Sequence, residues 1–338
     1  MTGRRAAGRA QPTRWADAEL AQARQALENA ADGEAARARL RRLPKADVHC
    51  HALLNSPLAS YQTVLGHPIP PPPPRFSTFA EFAGYLAAHL FPALKTLAGT
   101  RSVLRAGLER MAEEGVVYTE ASIDLLLPLH LDLPADAVIA MVEEERQRIA
   151  PRLCFVPEIG INRRVPPAKL WPLFEAYLES GVFGSVDLYD DERAGDLRDF
   201  RPFYRRARER GLLLKAHAGE TCGPAKIRET LAILEVEVIQ HGIAAAAEPR
   251  LMELLAERGV QLNLGLASNI ALGLTGDYTD HPIRTLLAAG VEVALGTDDF
   301  AVFGTSLCEE ILHLRRAGMA LSELAKLRLA PPAPFSPP

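Results

Sequence analysis

Eight short apolar runs recur along the chain, separated by stretches with helical patterning. The runs are ADVHCH (46–51), VVYTEASI (116–123), LCFVPEIGI (153–161), VFGSVDLY (182–189), LLLKAHAGE (212–220), VEVIQHG (236–242), VQLNLGLAS (260–268) and VEVALGTDD (291–299). Between them lie amphipathic segments such as RPFYRRARERG and EPRLMELLAERG. Strands that read as nearly continuous apolar runs are buried on both faces, the condition of a parallel sheet covered by helices. Eight strand–helix units predict a closed (β/α)₈ barrel, an α/β single domain whose strand C-termini converge on one face. An open doubly wound sheet competes less well, because no G-x-G-x-x-G opens the first unit.

The predicted barrel domain spans residues 15–327, begins with a helix over 15–42, and lies between a mobile leader (1–14) and a fraying proline-rich tail (328–338). In the first connection, HPIPPPPPRF (67–76) denies a helix and predicts a stiff surface path, either a spacer or a lid over the face where barrel chemistry sits. The net charge of −4 supplies no field for nucleic acid or an anionic membrane, which leaves a small-molecule ligand. The four cysteines form no C-x-x-C pair or dense framework, which fits reduced thiols and a cytoplasmic location. No signal-peptide core or spanning apolar stretch is present in the sequence.

Polar, chemically capable residues stand at several strand ends: His49 and His51 on the first, His217 and Glu220 on the fifth, His241 on the sixth, Asp298 and Asp299 on the eighth. Alternation along a strand points His49 and His51 the same way and Cys50 the other. A barrel brings all of these ends together although they are spread over the chain. Three imidazoles and a carboxylate form a donor set suited to Zn²⁺.

The motifs LPK-x-x-x-H-x-H (43–51), HAGE (217–220), HG (241–242), SN (268–269), HP before an L-x-x-x-G helix (281–290) and TDD (297–299) occur in this order. In that order and spacing the chain, from about Leu43 to about Leu327, resembles the adenosine/adenine deaminase family of metal-dependent amidohydrolases. The resemblance implies one zinc held by His49, His51, His217 and Asp298, with Glu220 as proton donor. It further implies that His241 orients the attacking hydroxide and that Asp299 bonds purine N7. Hydrolytic deamination of a 6-aminopurine to the 6-oxopurine and ammonia follows as the implied reaction. The family's backbone donor to purine N3, a glycine amide after strand four, would correspond here to Gly184 and Ser185. Two positions past the second histidine the family carries an acidic residue that holds the outer end of the substrate, whereas this chain has Leu53. An apolar or bulky 5′ group is therefore expected to suit the site better than a 5′-hydroxyl, with residues 70–74 as a matching wall unless Asn55 replaces the carboxylate.

Rival readings rest on other signatures. Two-metal hydrolases of this wider group end strand four with a lysine, and VFGSVDLYDDE has none. A catalytically silent purine-binding relative would be expected to lack a ligand or the acid. Nucleic-acid base deaminases need H-x-E with P-C-x-x-C, which is absent.

Overall fold

The computed structural model describes residues 11–28 and 33–332. Eight parallel strands run in the order of the sequence: β1 (Lys45–His51), β2 (Val116–Asp124), β3 (Cys154–Asn162), β4 (Ser185–Tyr189), β5 (Leu213–Ala218), β6 (Val238–His241), β7 (Gln261–Leu264) and β8 (Glu292–Leu295). Each lies within or beside one of the eight apolar runs, and the helices between them make this the expected (β/α)₈ barrel. The helix Leu197–Glu209 shows how the pattern works. Leu197, Phe200, Phe203, Tyr204 and Ala207 form its buried face, and the Asp196 carboxylate accepts the Arg198 amide at its N-terminus.

Closure between β8 and β1 is made in two places. At the C-terminal end, the Asp298 amide donates to the His49 carbonyl at 2.9 Å, and the His51 amide donates to the Asp298 carbonyl at 3.3 Å. At the opposite end, Arg328 donates its amide to Val293 and Leu329 accepts from Ala46, both at 2.8 Å, so the chain after residue 327 fills the seam. Ala330 then exchanges two backbone hydrogen bonds with Thr13. Glu292 receives both Arg14 and Arg328. Most of the expected leader and the end of the expected tail lie outside the described residues, but residues 11–14 and 328–332 are tied into the barrel. The helix expected over 15–42 is two helices, Asp17–Glu28 and Gly33–Leu40, with residues 29–32 outside the described residues.

Strand β1 carries a bulge. Asp47 pairs with Thr119 and Cys50 with Ala121, so β1 uses one more residue than β2 over that step. Below the bulge, Ala46 and Val48 pack inside the barrel with Tyr118, Val156 and Ala294. Because the side-chain period is two, the extra residue reverses the parity and brings His49 and His51 to the inside, while Cys50 joins the outer core. The freed Val48 carbonyl accepts Lys215 Nζ at 3.1 Å and Asn263 Nδ2 at 3.0 Å.

Lys215 is fully buried, with Glu120 against its ammonium and Glu158 at 2.8 Å. Tyr118 and Ser185 donate to these carboxylates at 2.7 and 2.8 Å. Glu120 and Glu158 are thus internal partners of a lysine, in a polar layer beneath the strand ends.

In the long first connection, residues 67–76 form neither helix nor strand and are pinned to the far side of the face. Phe76 donates its amide to Ala271, Tyr85 its hydroxyl to Pro70, and Arg75 bonds the Gly276 carbonyl. The helix Phe79–Tyr85 and the single turns Leu86–Leu90 and Phe91–Leu94 follow. Among the described residues no helix is long and apolar enough to cross a membrane.

Leu329, with 0% exposure, is the plug of the β8–β1 seam. Leu329→Ala should lower the unfolding free energy by about 2–5 kcal/mol in chemical denaturation, while the C-terminal end of the strands is left intact. A variant as stable as the parent would remove the seam segment from the stability of the barrel.

Candidate active site

The expected strand-end residues meet at the C-terminal face. His49, His51, His217 and Asp298 come from β1, β5 and the turn after β8, and their donor atoms group within 4.8 Å in overlapping sets that also take in His241 and Asp299. Backbone strain accompanies the assembly. His241 (φ 61°) and Asp298 (φ 54°) both occupy the left-handed region that disfavours side chains. Gly296 is required beside them, because a Cβ there would lie 2.4 Å from the His49 carbonyl oxygen.

Second partners fix the imidazoles. His49 Nδ1 lies 3.0 Å from the Asn263 carbonyl, an acceptor only, so this nitrogen carries the proton and Nε2 presents its lone pair. His217 Nδ1 is 2.9 Å from Asp187 Oδ2, close in distance although not aligned as a hydrogen bond. The two Nε2 atoms face each other at 3.3 Å, and with the His217 proton on Nδ1, beside Asp187, both present lone pairs there. Two buried lone pairs in that position repel unless a cation shares them, and about 3.3 Å is the edge of a tetrahedron with bonds of about 2.0–2.1 Å. Asp298 Oδ1 stands 3.9 Å from His49 Nε2 and 3.7 Å from His51 Nε2. The donor set therefore fits a tetrahedral N/O metal ion. Burial, reinforced by the neighbouring imidazoles, holds His49 well below the ordinary histidine range, and burial with His51 beside it lowers His217 to about 3. Neutral imidazoles are the ligand form.

Glu220 is the acid candidate by position and environment. Burial first, then the charges of Asp298, Glu192 and Asp299, push its carboxyl well above the usual range, towards the protonated form. Its Oε1 lies 3.4 Å from His241 Nε2, which is also 3.7 Å from Asp298 Oδ2. Asp299 is buried with Oδ1 unpartnered, and burial and Asp298 raise its carboxyl as well.

Two residues that sequence reasoning passed over hold the Glu220 loop. Glu192 accepts the amides of Gly219, Glu220, Thr221 and Cys222 at 2.6, 2.9, 2.7 and 3.2 Å. Arg163, 2% exposed, donates to the Leu188 and His217 carbonyls at 3.1 and 2.7 Å, joining the ends of β4 and β5 where the ladder between them has stopped. Neither belongs to a motif with an obvious chemical spacing. His281 bonds Asn269 Oδ1 at 3.1 Å, and Asn269 Nδ2 lies 3.2 Å from His241 Nδ1. The SN and HP motifs were the available signal.

A cavity of about 550 Å³ opens over these groups. Its floor is His51, His217, Glu220, His241, Asp298 and Asp299, and its upper walls include Leu53, Leu54, Phe79, Phe82, Leu86 and Phe303. Leu53 lines this cavity. Gly184 and Ser185 do not line the cavity: they lie at the N-terminal end of β4, where Ser185 bonds Glu158 in the layer below. The residues that lead from β4 into the cavity are its last, Tyr189, and the next, Asp190, which has a φ of 79°, a conformation that glycine adopts most readily. Asn55 is locked away from the cavity by Thr297 and Arg110. Residues 70–74 are not in the lining either; the apolar wall comes from the helical segment after them. His130 is exposed and also lines the cavity.

Comparison with known proteins identifies the family. The adenosine deaminase family model matches residues 74–330. A Treponema pallidum protein named "Putative adenosine/adenine deaminase" is 29% identical over 287 residues, covering 85% of this chain and 96% of its own. An aminodeoxyfutalosine deaminase of Streptomyces coelicolor is 30% identical over 307 residues, covering 84% of this chain and 78% of its own. The fold matches that of an adenine deaminase from Arthrobacter aurescens with a TM-score of 0.74 at 24% identity, over 84% of this chain and 91% of the other. The chain belongs to the adenosine deaminase family and is a hydrolase of the deaminase class.

Proposed function

We propose that this protein catalyses zinc-dependent deamination of a 6-aminopurine nucleoside whose 5′ end carries an apolar or bulky group. The observation that carries the reading is the cavity itself, with a floor of imidazole and carboxyl groups beneath an apolar upper chamber. His49, His51, His217 and Asp298 would hold one zinc. Bound there, the ion supplies Lewis-acid activation that makes a water nucleophilic near neutral pH.

The chain's own groups do the rest. Glu220, kept protonated by burial, gives its proton to the ring nitrogen beside C6 as the carbon–oxygen bond forms, which relieves the resistance of an aromatic amidine to attack. His241, between Glu220 and Asp298, orients the nucleophile. Asp299, buried with a free oxygen and a raised affinity for its proton, is placed to bond purine N7. Tyr189 and Asp190 replace Gly184 and Ser185 as the groups at the end of β4 nearest the substrate. At the outer end Leu53 offers no hydrogen bond, so a buried 5′-hydroxyl would be left unpaired at a cost of about 1–3 kcal/mol. The aminodeoxyfutalosine deaminase among the relatives supports a substrate other than plain adenosine. Four free cysteines support a reducing, cytoplasmic location.

A two-metal hydrolase is the alternative from the same fold, and β4 works against it, since its C-terminal residue is Tyr189, while the buried Lys215 of β5 is committed to Glu120 of β2 and Glu158 of β3.

Elemental analysis of protein grown with zinc should find about one zinc per chain, and His217→Ala should lose both metal and turnover; two ions per chain, or none, would contradict the site. Glu220→Gln should retain the metal and lose roughly 10²–10⁴-fold in kcat, and near-parental turnover would remove Glu220 from the mechanism. Among adenosine, 5′-deoxyadenosine and 5′-alkylthioadenosines, kcat/KM should favour the apolar 5′ groups, and Leu53→Asp should shift the preference towards adenosine. A parent that prefers adenosine tenfold or more would sink the 5′ assignment.

A further inference from the structure

His241 belongs to a chain of buried hydrogen bonds that starts at a backbone amide. The Ile283 amide donates to His281 Nδ1 at 3.2 Å, His281 Nε2 meets Asn269 Oδ1 at 3.1 Å, and Asn269 Nδ2 meets His241 Nδ1 at 3.2 Å. Asn269, His281 and His241 are 0%, 3% and 1% exposed, so water does not compete for these positions.

The direction of every bond follows from the first. A backbone amide only donates, so His281 Nδ1 is an acceptor. His281 is buried, which favours its neutral form, and its single proton therefore sits on Nε2. That proton needs an acceptor, which sets the Asn269 amide with its oxygen towards His281 and its nitrogen towards His241. The reverse setting would place an N–H donor against an N–H donor. Asn269 Nδ2 then donates to His241 Nδ1, leaving His241, when neutral, with its proton on Nε2. That nitrogen is the one facing Glu220 Oε1 at 3.4 Å and Asp298 Oδ2 at 3.7 Å.

We propose that Asn269 and His281 are positioning residues that fix the tautomer of His241, so that His241 presents an N–H donor to the nucleophile and does not take its proton. The proposal rests on the deaminase reading for its catalytic consequence, whereas the tautomer itself is independent of the substrate. It places the acceptance and delivery of protons on Glu220 and gives His241 the work of holding the attacking oxygen in line. The left-handed backbone at His241 and Gly242 (φ 61° and 72°) sets the ring in that orientation.

The test is a two-bond ¹H–¹⁵N spectrum of the zinc-loaded full chain with ¹⁵N-labelled histidine, in which His241 is assigned by its loss in His241→Gln. The expected result is Nδ1 in the unprotonated range and Nε2 in the protonated range. Asn269→Asp offers a carboxylate to Nδ1 and should move the proton there. With the zinc content unchanged, kcat on the best 6-aminopurine should fall roughly 10²–10³-fold, the usual worth of one positioned donor, with KM within about threefold. His281→Gln, which can still donate to Asn269, should retain the parental tautomer and most of kcat, whereas His281→Phe should lose both. A parent spectrum with the proton on Nδ1, or an Asn269→Asp protein with parental tautomer, overturns the relay. A parental tautomer as proposed in a protein that deaminates no 6-aminopurine would uphold the relay and overturn the substrate reading alone.

Discussion

The bulge in β1 is the constraint on which the site depends. A regular strand that keeps Ala46 and Val48 inside the barrel would turn His49 and His51 into the outer helix layer, where two imidazoles could neither meet His217 nor reach water. One extra residue between Asp47 and Cys50 reverses the parity at the height where the chemistry begins. The bulge is held on several sides. Thr297 bonds both oxygens of Asp47, at 3.2 and 2.6 Å, Lys215 and Asn263 take the displaced Val48 carbonyl, and Gly296 leaves room for the His49 backbone. The histidine pair is thus supported by residues of β5, β7 and the turn after β8.

Beneath the site, Lys215 and its two carboxylates occupy space that a barrel of this kind usually fills with branched apolar side chains. A buried ion cluster is a weak source of stability, since desolvation offsets most of the attraction. Its members are well satisfied here, by Tyr118, Ser185 and the bulge carbonyl, so the cluster ties β1, β2, β3, β4 and β5 into one polar layer under the imidazoles. Glu158, held near 7 by burial against the pull of Lys215, shows how closely the opposing effects balance. Above, Arg163 and Glu192 do comparable work for the Glu220 loop, replacing ladder hydrogen bonds that β4 and β5 no longer make.

The barrel was legible because its strands are apolar on both faces and its helices on one, a pattern that survives in the sequence however the loops vary. The strand-end histidines and aspartates were legible because the fold turns distant strand ends into neighbours. Other features needed three dimensions. Residues 328–330 look like a fraying proline-rich tail, and only the open seam between β8 and β1 gives them backbone partners. Gly184 and Ser185 fit the idea of a glycine near strand four, but they precede the strand's C-terminal end by nearly its whole length. Asp190 follows that end, and its left-handed φ is invisible in the letter D. Arg163 and Glu192 act on backbone groups, which leave no trace in side-chain motifs, and the wall over Leu53 is made by helical turns after the prolines because residues 67–76 are spent crossing to Ala271 and Gly276.

Asp298 joins the fold to the chemistry most directly. Its amide and carbonyl make the two hydrogen bonds that close the barrel against His49 and His51, and its side chain stands within 4 Å of three imidazoles. It does this in a left-handed conformation that costs on the order of 1 kcal/mol or more for a residue with a side chain. A strained residue persists where its surroundings over-determine it, and closure of an eight-stranded sheet does so here. Relaxing Asp298 would break the two hydrogen bonds that bridge the β8–β1 seam at this end, so the carboxylate cannot drift from the imidazoles without a loss of barrel hydrogen bonds. The geometry of the donor set is thereby held by the cooperativity of the whole barrel, and a ligand arrangement that would be soft on a surface loop becomes as rigid as the sheet that carries it.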